Sequence, residues 1–142
     1  MDAQDMGNAL ERILVTEDEL ARRMAELAAE IDADYQGKEI LLVGVLKGAV
    51  MVVADLSRHL HTPLSMDWMA VSSYGAGTKS TGVVRILKDL DADVTGRDVL
   101  IVEDIIDSGL TLSWLRENLL ARGAASVEIA TALRKPEALK VQ

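Results

Sequence analysis

Apolar positions along this chain alternate between two rhythms, short continuous runs and stretches with a helical period, and that alternation predicts the fold. A polar start up to about Asn8 and a small apolar patch at Ile13-Leu14-Val15 precede Thr16-Glu17-Asp18-Glu19, which has the spacing of a capping box. Thr16 would cap the first turn and Glu19 would reach back to it, opening a helix. Leu20, Met24, Leu27, Ala28 and Ile31 then recur at helical spacing and give that helix one buried face. Gly37 marks the turn after it. Ile40 to Leu46 reads as a buried strand with Lys47-Gly48-Ala49 as its exit turn, and Val50 to Leu60 as a helix packing Val52, Val53, Leu56 and Leu60.

Beyond Pro63, Leu64 to Val71 is the next strand, and Val83 to Leu87 another. The polar, glycine-rich stretch 72–82 between them reads as a long flexible arm. Asp93 to Asp98 turns the chain into the β-branched run Val99-Leu100-Ile101-Val102. From Thr111 the spacing of Leu112, Leu115, Leu119 and Leu120 predicts a helix stopped by Gly123, and Val127 to Leu133 is the last strand. This order implies an α/β protein: right-handed crossovers and a mostly parallel, twisted sheet flanked by helices on both faces.

The run Val99–Val102 breaks into Glu103-Asp104, then Asp107, then the short loop Ser108-Gly109-Leu110-Thr111. In open α/β sheets, ligands gather outside the carboxyl ends of such buried strands. The loop suits a phosphate monoester. Gly109 permits close backbone approach, the hydroxyls of Ser108 and Thr111 donate, and the helix that follows points its N-terminus at the anion. It lacks the G-x-x-x-x-G-K-[ST] pattern of a Walker site. Two carboxylates beside a phosphate repel it, by about 4 kcal/mol for unit charges about 4 Å apart at an effective dielectric of 20. A sugar whose vicinal hydroxyls donate to Glu103 and Asp104, together with Mg²⁺, would offset that repulsion. Asp107 then stands between sugar and phosphate, placed to handle a proton.

Composition narrows the field. A chain of 142 residues has room for one core, so 1–142 reads as a single domain. Aromatics make up 3%, with no Phe, which leaves the core to aliphatic residues and Met and provides few rings for base stacking. A net charge of -8 disfavours nucleic acid and anionic membranes as partners. The absence of Cys excludes disulfides, a thiolate nucleophile and zinc-thiolate sites. No apolar run approaches the roughly 18 residues of a membrane span, and the acidic start lacks the layout of a signal peptide, so the expected location is cytoplasmic. His59 and His61 sit at a helix end, where a cation suits the dipole, and Trp68 and Trp114 read as core or subunit-contact residues.

Glu103-Asp104-Ile105-Ile106-Asp107-Ser108-Gly109-Leu110-Thr111 closely resembles the phosphoribosyl pyrophosphate motif of type I phosphoribosyltransferases, specifically their hypoxanthine-guanine branch. Leu46-Lys47-Gly48-Ala49 is similar to that branch's pyrophosphate loop, Ser73-Tyr74 to the pair on its mobile catalytic loop, and Lys135-Pro136 to the Lys-Pro at its purine pocket. The resemblance implies transfer of a phosphoribosyl group from phosphoribosyl pyrophosphate to a 6-oxopurine base, hypoxanthine or guanine, yielding IMP or GMP and pyrophosphate. It implies that Glu103 and Asp104 hold the ribose hydroxyls and Mg²⁺, and that Asp107 is the general base. Ser108, Gly109, Leu110 and Thr111, with Asp107, would cradle the donor's ribose 5′-phosphate. Leu46, Lys47 and Gly48 would bind pyrophosphate, with a non-proline cis peptide at Leu46-Lys47. Lys135 would donate to the purine's 6-oxo group, and the Ser73-Tyr74 arm would close to exclude water. Relatives form homodimers or homotetramers.

The chain departs from the family pattern after Pro136, where Glu137-Ala138-Leu139-Lys140 stands in place of paired arginines. The family's purine-stacking aromatic, a further metal-binding Asp and a closing segment do not follow. The expectation is therefore a C-terminally truncated member lacking part of the hood, or else a natural short form with impaired base binding. A sister transferase for xanthine, orotate or uracil, a regulatory relative that binds RNA, and a noncatalytic remnant are the competing readings. Lys135 and Ile105-Ile106 weigh against the first, and the acidic charge weighs against the second.

Overall fold

The computed structural model describes residues 17–72, 84–106 and 109–134. The apolar runs become strands β1 (Ile40–Val45), β2 (Leu64–Val71), β3 (Ile86–Lys88), β4 (Asp98–Ile106) and β5 (Ser126–Arg134). The periodic stretches become helices α1 (Glu17–Asp34), α2 (Val50–His59) and α3 (Leu110–Ala121). The strands form one sheet in the order β3-β2-β1-β4-β5, parallel throughout except for the antiparallel β2–β3 pair.

Because side chains alternate across a strand, each run of apolar residues feeds two cores. Ile40 and Leu42 of β1 join Leu100 and Val102 of β4 on one face, under Met24, Leu27, Ala28 and Ile31 of α1 and Val53 and Leu56 of α2. On the other face Leu41, Val43 and Val45 join Val99 and Ile101, covered by Leu112, Leu115 and Leu119 of α3. Gly44 is required by this packing. A Cβ there would collide with the Trp68 ring and stand 3.0 Å from Val53 Cγ2.

The strand order reverses between β1 and β4, since β2 lies to one side and β5 to the other. Neighbouring connections leave such a point on opposite faces, and a crevice opens at the strands' carboxyl ends. Here α2 follows β1 on one face and α3 follows β4 on the other.

Several boundaries move. Leu20 is 38% exposed and not part of the buried face, because it precedes the turns of α1 that lie over the sheet. The strand expected at Val83–Leu87 is the three-residue β3, later by about one turn of pleat, and Val83 lies outside the described residues. β1 ends at Val45, one residue before Leu46. β4 continues through Glu103 and Asp104 to Ile106, so the paired acids are strand residues and the apolar run is shorter than the strand. The capping residue Thr16 lies outside the described residues.

One buried acid went unread in the sequence. Asp67, 4% exposed in the middle of β2, accepts hydrogen bonds from the backbone N–H of Trp68 (2.8 Å), Asp91 (3.0 Å) and Ala92 (2.8 Å). It ties the segment after β3 to the sheet, a use for a carboxylate that only the fold can create.

Candidate functional site

Three chain segments follow or form the carboxyl ends of β1 and β4. The first is the exit of β1, where the Leu46-Lys47 peptide bond is cis. Leu46 N–H donates to the Met69 carbonyl at 2.8 Å, Ala49 N–H to Val45, and Val50 N–H to Lys47, so the turn is anchored on both sides. Lys47 and Gly48 are exposed while Ala49 is fully buried, which presents a cation and a bare backbone to the crevice.

The second is the end of β4. Alternation places Asp104 in line with Leu100 and Val102, on the face of α1 and α2, and Glu103 in line with Ile101, on the face of α3. A Cβ added to Gly48 would lie 2.7 Å from Asp104 Oδ2 and 2.9 Å from its Cγ. The first loop therefore passes directly against this carboxylate, and glycine is what allows the approach. Thr131 on β5 donates from its hydroxyl to the Asp104 carbonyl at 3.3 Å.

Glu103 is half-buried, and its Oε1 accepts the Asp104 N–H at 2.9 Å. Burial, reinforced by the Asp104 side chain and its charge, pushes the Glu103 carboxyl up to about 8, against the lowering effect of that backbone bond. A carboxyl in that position gains from any cation or hydroxyl donor that favours its ionised form.

The third segment is the start of α3. Gly109 caps it in the left-handed region (φ 82°) with no side-chain cap, and Leu110 and Thr111 form the first turn. A backbone turn of that kind opens the helix toward the crevice with its positive dipole end leading.

The structure sets Gly48 against Asp104, with Leu46 and Lys47 in the same turn and Glu103 beside Asp104, and places Gly109, Leu110 and Thr111 at the start of the helix that follows β4; all were singled out in the sequence. Ser73, Tyr74, Asp107, Ser108 and Lys135 lie outside the described residues. Thr131 was missed, and its only sequence signal is a lone hydroxyl in the apolar run of β5. Among the described residues no group of three acids or histidines is close enough to hold a metal ion by itself. Nor is any described helix long and apolar enough to cross a membrane.

Residues 13–142 match the family model of the phosphoribosyl transferase domain. The hypoxanthine-guanine phosphoribosyltransferase of Mycobacterium tuberculosis is 52% identical over 136 residues, covering 92% of this chain and 67% of that protein. A hypoxanthine phosphoribosyltransferase structure from Staphylococcus aureus superposes with a TM-score of 0.91 at 44% identity, covering 100% of this chain and 77% of that one. A point mutant of the Trypanosoma cruzi hypoxanthine phosphoribosyltransferase, complexed with the product IMP, is similar at a TM-score of 0.82 and 39% identity, over 93% of this chain and 72% of that one.

Proposed function

Since this chain belongs to the hypoxanthine-guanine phosphoribosyltransferase family and forms IMP or GMP from phosphoribosyl pyrophosphate and a purine base, we propose that the exits of β1 and β4 and the start of α3 are the donor half of its active site. The observation that carries this reading is the contact of the Gly48 backbone with the Asp104 carboxylate. It sets a loop suited to a leaving pyrophosphate beside acids suited to a ribose.

In the reaction a ring nitrogen of the purine bonds to the sugar's anomeric carbon as the bond to pyrophosphate breaks. Glu103 and Asp104 accept hydrogen bonds from the ribose hydroxyls, which strengthen as positive charge develops on the sugar. Ser108, Gly109, Leu110 and Thr111 hold the 5′-phosphate at the helix N-terminus, and Lys47 and Gly48 hold the pyrophosphate. Asp107 takes the proton lost by the purine. Lys135 donates to the 6-oxo group, and the arm bearing Ser73 and Tyr74 closes to keep water from consuming the donor.

Glu103 and Asp104 fit Mg²⁺. Their neighbouring carboxylates, close enough for the Asp104 side chain to raise the Glu103 carboxyl, present hard oxygen donors too few for a protein-only cage, which would suit an ion that keeps most of its waters. The ion would supply charge neutralisation on the pyrophosphate.

We further propose that 1–142 forms one domain, that the protein is cytoplasmic and that it assembles as a homodimer or homotetramer. Met51, Met66 and Leu87 are large apolar side chains left exposed, which supports association. Sedimentation equilibrium tests it, a single monomeric species being the contrary result. The chemical reading is tested by supplying phosphoribosyl pyrophosphate and Mg²⁺ with hypoxanthine, guanine, xanthine or uracil in turn. IMP and GMP are the expected products, and formation of uridylate would overturn the purine assignment.

A further inference from the structure

The opposite end of the sheet holds a second polar hollow, apart from the donor site. A cleft of about 370 Å³ opens between the last turn of α1 and the first residues of β4 and β5. That is at the small end of the ~300–1,000 Å³ usual for small-ligand sites. Three carboxylates converge on it, Glu30 and Asp34 from α1 and Glu128 from β5, and none of them is in an ion pair among the described residues.

Tyr35 supplies a second, independent observation. The residue is 7% exposed and lines the cleft, and its hydroxyl is buried with no hydrogen-bond partner among the described residues. Buried hydroxyls are nearly always paired, so a donor or acceptor is missing from this position. Burial, with the charges of Glu128, Asp98 and Asp34, pushes the phenol up to about 12, which keeps it a neutral hydroxyl with an oxygen able to accept.

The acids are too widely spread for one metal ion, since no metal-holding group of three exists among the described residues. The floor between them is apolar, formed by Ile31, Leu100 and Ala130. Separated negative charges over an aliphatic floor complement an extended organic cation with several charged ends. We propose that this cleft binds an aliphatic diamine or polyamine, with ammonium groups on Glu30, Asp34 and Glu128, one of them also donating to the Tyr35 hydroxyl, and methylenes along Ile31, Leu100 and Ala130. The lone cation in the lining, Lys38, limits the length of chain accepted at its end.

Spermidine titrated calorimetrically into the full chain tests this. Saturable binding is expected, weakened about tenfold by Glu128→Gln and several-fold by Tyr35→Phe, with no change in Asp55→Asn, an exposed acid on α2. Glu128 is exposed, so its variant decides the matter should Tyr35→Phe fail to fold. The proposal is overturned by absence of saturable binding, by an equal response in Asp55→Asn, or by full displacement with Mg²⁺ at matched ionic strength, which would mark diffuse counterion attraction.

Discussion

The two ends of β4 treat the same residue type in opposite ways. At the amino end, Asp98 and Asp32 are satisfied. Asp98 accepts the Ser126 hydroxyl at 2.7 Å, and the nearby Asp32 accepts the His61 and Thr62 N–H groups and the Thr62 hydroxyl at 2.6 Å. Although partial burial works against it, those bonds hold Asp32 below the usual carboxylate range. At the carboxyl end, Glu103 is pushed up to about 8 and Asp104 stands against a glycine with no room for a side chain. Asp98 and Asp32 stabilise the fold, while Glu103 is held at a cost that a sugar hydroxyl or cation can relieve.

Substitutions can break or sharpen that contrast. The largest effect is expected from Asp107→Asn, which should lower turnover about 10²- to 10⁴-fold while leaving donor affinity nearly intact. Steady-state kinetics with donor titrations check it, and a large loss of donor affinity would make Asp107 a binding residue instead. Next comes Gly48→Ala, which displaces the Asp104 carboxylate and should reduce kcat/KM by about 10²-fold with little change in Tm. Unaltered kinetics would detach the β1 loop from the site. Its counterpart Gly44→Ala, only four residues earlier, should cost about 1–3 kcal/mol of stability in chemical denaturation by forcing the Trp68 ring outward.

The smaller effects read the carboxylates directly. Glu103 has a folded pKa raised from 4.5 to about 8, so the native state binds the extra proton between those values and loses relative stability as pH rises. Glu103→Gln, in the absence of Mg²⁺, should therefore raise Tm by an amount that is absent below pH 4.5 and levels off above 8. A constant offset across that range would refute the assignment. Asp32 behaves with the opposite sign. Its folded pKa is lowered, so its contribution is present above the unfolded value and lost as pH falls through the folded one. Asp32→Asn should lower Tm slightly at pH 7, and the gap should close on acidification.

Much of this could be read from spacing. Apolar runs and the turns bounding them marked the strands, and β2 was placed residue for residue even though Ser65 and Asp67 interrupt it, because Pro63 and the polar stretch 72–82 mark its ends. The turn into α3 was legible because Gly109 takes the left-handed conformation that glycine favours, which sequence encodes within a few residues. β3 was misplaced because it is short and antiparallel, and its extent depends on pairing with β2 through an irregular register. Leu20 was misjudged because helical period reports which side of a helix is apolar, not how far along it the sheet extends.

By itself the sequence determined the class of fold, the two rhythms that build it and the acids and glycines proposed to carry the chemistry, since these rest on local periodicity and side-chain type. Only the tertiary structure decided which of them meet. Gly48 and Asp104 are far apart in the chain and touch because β1 and β4 pair in parallel, with Gly44 opposite Val102. The burial that raises Glu103, the bonds from Asp91 and Ala92 to Asp67 and the Tyr35 hydroxyl left without a partner among the described residues likewise depend on segments brought together by the fold, which spacing along a chain does not encode.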